Sequence, residues 1–254
     1  MDWLVHQHNL ETKITTDYKK RGQDFAEFKT NVYLPYQKKQ LGITEITRQA
    51  VFDEVQLLEG YYREIEEFNQ EGWITPQSKF RPTVLEEFCG YLFKDLPQVQ
   101  SLGLGFLKRG IYAGMRIDQA GNAQLETRDI DFCIGKIIKA TFADEPCDIK
   151  IPVVAIECKT YLDKTMLSGA QFTAQKVKGG TPRVAFFVMA ERNEVNLGEI
   201  PSETPIDQIY ILRDGQDNPV DSQTVWEFFC EVRGVLERTS KAKIISLPGK
   251  LLVF

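Results

Sequence analysis

The sequence predicts an α/β protein: a mixed central β-sheet flanked by helices, with an N-terminal helical addition. Three observations lead there. Val153–Ile156 and Val184–Met189 are short apolar runs, rich in β-branched and aromatic residues, with the length of central strands buried on both faces. Between them, Asp163 to Lys178 has a helical pattern, and a strand–helix–strand crossover implies parallel pairing with a right-handed connection. A long amphipathic pattern over 44–68 precedes every strand-like segment, which sets the helical addition at the N-terminal side.

Residues 1–42 are mixed and polar, with a basic cluster at Lys19, Lys20 and Arg21 and a pair at Lys38 and Lys39. Over 44–68, Thr47, Val51, Val55, Leu58, Tyr62 and Ile65 recur at helical spacing and form one stripe, which Gly72 and Pro76 end. A second helix is expected from Pro82 to about Leu96, where Thr83 and Glu86 have capping-box spacing. Pro97, Gly103 and Gly105 break that pattern. Strands are expected at about 111–117, 128–138 and 151–159, and the earlier ones can pair antiparallel through short turns. The helix after 159 stops at Gly179 and Gly180. Gln208–Leu212 is a further strand, and a last helix from Ser222 to about Glu237 carries Val225, Phe228, Phe229, Val232 and Leu236. No repeat or low-complexity linker divides the chain. Residues 1–80 are expected as a mostly helical region packed on a core of residues 81–254, the two forming one compact unit.

The chain has 254 residues, 43% hydrophobic and 26% charged, an ordinary composition for a soluble globular protein. Its net charge of −5 argues against a generic nucleic-acid coat protein. It does not exclude a DNA enzyme, because a few placed cations offset phosphate charge locally. Cys89, Cys133, Cys147, Cys158 and Cys230 are scattered and lack zinc-ligand spacing, so they read as thiols of a reducing cytosol. No apolar run approaches the ~20 residues of a membrane span, and no signal-peptide core is seen. The protein is expected in the cytoplasm.

The most informative stretch is Val153 to Lys159, which ends by presenting Glu157 and Lys159. Alternate strand residues share a face, so these two emerge side by side, roughly 7 Å apart. A carboxylate and an ammonium at the end of a buried strand are costly unless they pair or hold a ligand. Upstream, Arg128–Ile134 carries Asp129 and Asp131, both placed on one face of the expected strand. Asp131 is favoured because it leads directly into Phe132, Cys133 and Ile134.

This Asp…Glu-X-Lys set resembles the PD-(D/E)XK nuclease superfamily, over roughly residues 82–213, and is most like a type II restriction endonuclease. The resemblance implies a restriction-endonuclease-like core and a hydrolase acting on double-stranded DNA, sequence-specific and part of restriction–modification. It implies Asp131, Glu157 and Lys159 as catalytic residues. It also implies Mg²⁺, with Mn²⁺ able to substitute, on Asp131, Glu157 and the backbone carbonyl of Cys158. Many members add an acid from the preceding helix: Glu86 matches, with Glu87 as the fallback. Glu86 also has a structural reading as the capping-box partner of Thr83. One departure is visible, in that Ile130 stands where the family often has proline.

The chemistry fits these residue types. Paired carboxylates suit Mg²⁺, which keeps several waters, and a lysine beside them orients or deprotonates water and stabilises developing charge. DNA contacts are expected from Lys108, Arg109 and Arg116, and from Lys164 and Gln171 on the helix after the catalytic strand, which also carries Lys176 and Lys178. The segment Lys79-Phe80-Arg81 precedes the Glu86 helix. Ordinary solvated lysines are the alternative for most of these. His6 and His8 are the only histidines and read as exposed terminal residues. One Asp…Glu-X-Lys set per chain implies a homodimer for double-strand cutting, with helices 44–68 and 222–237 as interface candidates or as core stripes. Two rivals remain: a repair or recombination nuclease acting on ends, nicks or junctions, and a non-catalytic DNA-binding module of the same fold.

Overall fold

A computed structural model describes residues 3–75, 78–142, 145–196, 203–215, 218–241, 244–247 and 250–253. The strand β5 (Glu145–Leu162) organises the sheet, because its apolar run is buried on both sides. Val154 and Ile156 belong to one hydrophobic cluster and Ala155, between them, to the other, as period-2 alternation requires. β4 (Phe132–Phe142) pairs with it antiparallel and β6 (Ala185–Asn193) parallel, and β7 (Gln208–Ile211) extends the parallel side. β1 (Gly105–Leu107) borders β4. The hairpin of β2 (Ile111–Ile117) and β3 (Ala123–Arg128) joins β5 at Ile111 beside Lys150. The sheet is therefore mixed, as the sequence predicts.

One face is covered by α7 (Lys164–Gly180), which begins where Asp163 accepts the Met166 N–H at 2.7 Å and buries Leu167, Ala170, Ala174 and Val177. The other face meets α5 (Pro82–Phe93) and α8 (Ser222–Lys241), with α4 (Arg48–Phe68) packed on both and the short α6 (Pro97–Ser101) against α8. The stripes of α4 and α8, including Val51, Val55, Leu58, Tyr62, Phe228, Phe229 and Leu236, are all inside this cluster. They build the monomer core, so these stripes do not form a subunit interface. α4 starts later than its pattern suggests, because Thr47 is its N-cap, accepting the Ala50 N–H at 3.2 Å.

The N-terminal helices α1 (Val5–Thr15), α2 (Gly22–Phe28) and α3 (Leu34–Gly42) are anchored through α5. Glu87 accepts the His6 and Gln7 N–H groups at 2.9 and 3.1 Å, where the first turn of α1 exposes unpaired donors. It also accepts Tyr33 and Tyr91 hydroxyls at 2.8 and 2.7 Å. Trp3 lies so close to Gly90 that a side chain there would clash with its ring.

His6 is not an exposed terminal residue: it is 1% exposed, with Nδ1 2.9 Å from Thr83 Oγ1 and Nε2 2.7 Å from the Tyr61 hydroxyl. A polar residue near the chain start reads as solvated, but here Tyr61 and Thr83 satisfy both ring nitrogens. Burial, and then Lys13, push its pKa down to about 3. An unfolded chain protonates this ring near 6.5, so below that pH the unfolded state binds the extra proton. The contribution is whole above pH 6.5 and falls by ~1.4 kcal/mol per pH unit towards pH 3. Denaturant unfolding should therefore show wild type losing about 2 kcal/mol between pH 6.5 and 5 relative to His6→Gln. The comparison with the variant is needed because Glu54, with a pKa raised to about 7 by burial, acts in the opposite sense.

Candidate active site

Asp131, Glu157 and Lys159 meet at one end of the sheet. Glu157 and Lys159 follow Ala155 by strand alternation on β5. Asp131 is not inside a strand: residues 129–131 form the link between β3 and β4, so the single strand expected over 128–138 is two strands with a break. The break frees the Asp131 carboxylate to turn onto β5. Its Oδ2 accepts the Cys158 N–H at 2.9 Å and Lys159 Nζ at 2.9 Å, while Nζ donates to Glu157 Oε2 at 2.5 Å. One ammonium thus bridges two carboxylates. The Cys158 side chain points into the core, 3.9 Å from Cys89 Sγ, which leaves its main chain at the site.

The electrostatics follow from crowding acids in a half-dry place. Burial first, then the Asp131 charge, push the Glu157 pKa up to about 7, with Lys159 opposing. The same two causes push Glu86 up to about 8. Burial disfavours the Lys159 ammonium, but Asp131 and Glu157 more than reverse this and hold its pKa above the usual lysine value.

Glu86 and Glu87 separate cleanly. Glu86 faces the site, lining a cavity with Asp131, whereas Glu87 is spent on α1 and two tyrosines. The capping-box reading of Glu86 fails. Arg81 is the N-cap and no side chain caps α5; Thr83 instead donates to the Phe80 carbonyl at 2.9 Å and meets His6. Asp129 also lies apart from Lys159, since its Oδ1 accepts the Gly110 N–H at 2.9 Å. It does not share a strand face with Asp131.

Among the described residues, no three His, Cys, Asp or Glu groups are gathered closely enough to hold a metal ion by themselves. The donor set nonetheless fits Mg²⁺, which needs only one or two carboxylates and takes its other oxygens from water and phosphate. Two carboxylates sharing an ammonium, with a third acid raised by burial and by the Asp131 charge, form such a set.

Two cavities of about 310 and 410 Å³ adjoin through Glu86, Asp131, Lys108 and Arg109, making one cleft past Glu86 and Asp131, while Glu157 and Lys159 line neither. Lys150 lines one end, and Lys79 and Thr12 the other. Of the residues expected to contact DNA, Lys108 and Arg109 line the cleft. Arg116, Lys164 and Gln171 line neither cavity. Arg116 is exposed on β2 beside Gln124 and Glu126, and Gln171 donates to Thr204 at 3.5 Å. Lys178 pairs with Asp207 at 2.7 Å, and Lys176 lies over the Phe172 ring. In the segment Lys79-Phe80-Arg81 only Lys79 reaches the cleft: Phe80 is core and Arg81 is locked on buried Glu191 at 2.9 Å. Sequence reasoning missed Lys150 and the α1 wall of the cleft, because an isolated lysine in a strand and a polar first helix carry no periodic signal.

The family model described as Bpu10I restriction endonuclease matches residues 77–241. A solved chain described as "native BbvCI A2B2 tetramer at low resolution" superposes with a TM-score of 0.74 at 21% identity, over 94% of this chain and 97% of that one. At that identity the likeness is one of fold. No curated protein sequence matches the chain.

Proposed function

Since the chain belongs to the Bpu10I restriction endonuclease family, DNA-cleaving hydrolases, we propose that it cuts double-stranded DNA at specific sequences with Asp131, Glu157 and Lys159 as catalytic groups. The observation that carries this is the single ammonium held between two carboxylates, one of which, Asp131, lines a cleft that also carries Lys108, Arg109 and Lys150. Asp131, Glu157 and the Cys158 carbonyl would hold Mg²⁺, with Glu86 beside them; the ion would polarise the phosphoryl group and acidify water. Asp131 and Glu157 hold Lys159 as an ammonium, which would orient water and stabilise charge building on the phosphoryl oxygens. Glu86, which burial and the Asp131 charge push up to about 8, is the acid beside that ligand set suited to exchanging a proton there. Lys108 and Arg109 would meet phosphates, which take the larger share of protein–DNA hydrogen bonds.

Family membership favours this over a repair nuclease or a binding module. The free cysteines and the DNA substrate support work in the cytoplasm; among the described residues no helix is long and apolar enough to cross a membrane.

Double-strand cutting needs a second active site. A homodimer supplies it with a second copy. The A2B2 description of the matched structure favours a second arrangement, in which an unlike chain supplies the other site. One plasmid experiment tests activity, metal and assembly together. With Mg²⁺ or Mn²⁺ the protein should give discrete bands, with EDTA none, and with Ca²⁺ binding but no cutting, because Ca²⁺ is larger and holds looser geometry. Asp131→Asn should weaken Mg²⁺ activation more than Asp129→Asn. Linear product from this chain alone indicates the homodimer, and nicked circles the unlike partner. A smear or intact shifted DNA would overturn the restriction reading.

A further inference from the structure

The turn between β1 and β2 is held by the same segments that carry the candidate acids. Arg109 and Gly110 are consecutive left-handed residues, with φ of +52 and +63. A side chain such as arginine rarely adopts that state and keeps it only where the surroundings fix it. Two side chains fix it here. Asp129, two positions before Asp131, accepts the Gly110 N–H through Oδ1 at 2.9 Å. Lys150, on β5 upstream of Glu157, donates Nζ to the Lys108 and Arg109 carbonyls at 3.2 and 3.0 Å. The turn backbone is thus tied at both polarities, donor to Asp129 and acceptors to Lys150.

The side chains of Lys108 and Arg109 are left over by this arrangement. Both line the two cavities that meet at Glu86 and Asp131. Among the described residues neither has an ion-pair or hydrogen-bond partner for its side-chain nitrogens. An ammonium and a guanidinium on a fixed turn, a residue apart, suit the successive anionic diesters of one nucleic-acid strand.

We propose that Asp129 and Lys150 are positioning residues which hold the Lys108–Arg109 turn as a phosphate clamp on the strand being cut. This rests on the catalytic reading above. It also accounts for why a second aspartate sits so close to Asp131 without joining Lys159.

The test is binding of a short labelled DNA duplex in EDTA across a salt series, with kcat and KM from plasmid cleavage in Mg²⁺. Arg109→Ala should weaken binding and reduce the slope of log K against log salt by about one. Asp129→Ala should weaken binding about tenfold, reduce that slope by one to two, and raise KM more than it lowers kcat. Arg109→Ala added to Asp129→Ala should cost little more. Asp129→Asn, whose amide oxygen still accepts the Gly110 N–H, should restore most of the affinity. If Asp129→Ala does not fold, Gly110→Ala strains only the turn, since open space surrounds that position, and should give the same binding defect. An unchanged salt slope in Asp129→Ala, or full additivity with Arg109→Ala, would overturn the clamp. So would Asp129→Asn failing like alanine with the loss on kcat, which would place Asp129 among the metal ligands. Normal cutting by Glu157→Ala would sink the catalytic reading instead, and the EDTA binding series would still decide the clamp.

Discussion

Glu157→Gln and Lys159→Ala are expected to lower DNA cleavage by at least ~10²-fold while DNA binding persists. Glu157→Gln keeps size and the ability to accept from Lys159, so it removes charge without opening a cavity. Lys159→Ala removes the one cation between Asp131 and Glu157, whose oxygens lie 2.9 and 2.5 Å from it. The two carboxylates then repel at short range, and the phosphoryl charge loses its compensating ammonium. Binding should survive because Lys108, Arg109, Lys79 and Lys150 remain along the cleft. Plasmid cleavage and anisotropy on the same preparations give the two readouts, and near-normal cutting by either variant would remove these residues from the mechanism.

Glu87→Ala is expected to destabilise the fold by about 3–5 kcal/mol, the range for stripping partners from a buried charged network. The carboxylate is 1% exposed and takes four hydrogen bonds, from two main-chain N–H groups of α1 and two tyrosine hydroxyls. Removing it leaves all four donors in a dry place, and α1 loses the anion at its N-terminus. Glu87→Gln should cost less, since the amide oxygen still accepts. Urea unfolding reads both; a loss under ~1 kcal/mol for alanine would show that water replaces the carboxylate.

The parts of this protein that a single sequence exposes are those with a strong period or an abrupt breach of one. β5, β6, α4, α7 and α8 were legible from apolar runs and stripes, and Glu157 with Lys159 from charge placed at the end of such a run. What stayed hidden depends on contacts between distant segments. The break at 129–131 looks like continued strand, because Ile130 between two aspartates mimics alternation; only the Gly110 N–H and the Cys158 N–H decide where each carboxylate goes. Thr83 and Glu86 have capping-box spacing, yet buried His6 draws Thr83 away. His6 and Glu87 were unreadable for the same reason, since apart from Tyr91 their partners lie 54 or more positions away in the chain.

The placement of Lys159 and Glu157 on the innermost strand also bears on when the chain can act during its synthesis. β5 pairs with β4 before it and β6 after it, and Glu86 arrives on a helix packed against that same strand. The β4–β5 pairing is a local hairpin, but the parallel β5–β6 pairing spans the α7 crossover and forms later, after loop entropy has been overcome. A ribosome-bound chain lacking β6 has an unpaired central edge and no settled register for residues 157–159. With Glu157 and Lys159 acting as proposed, such a chain is expected not to cleave DNA until β6 has paired with residues 157–159.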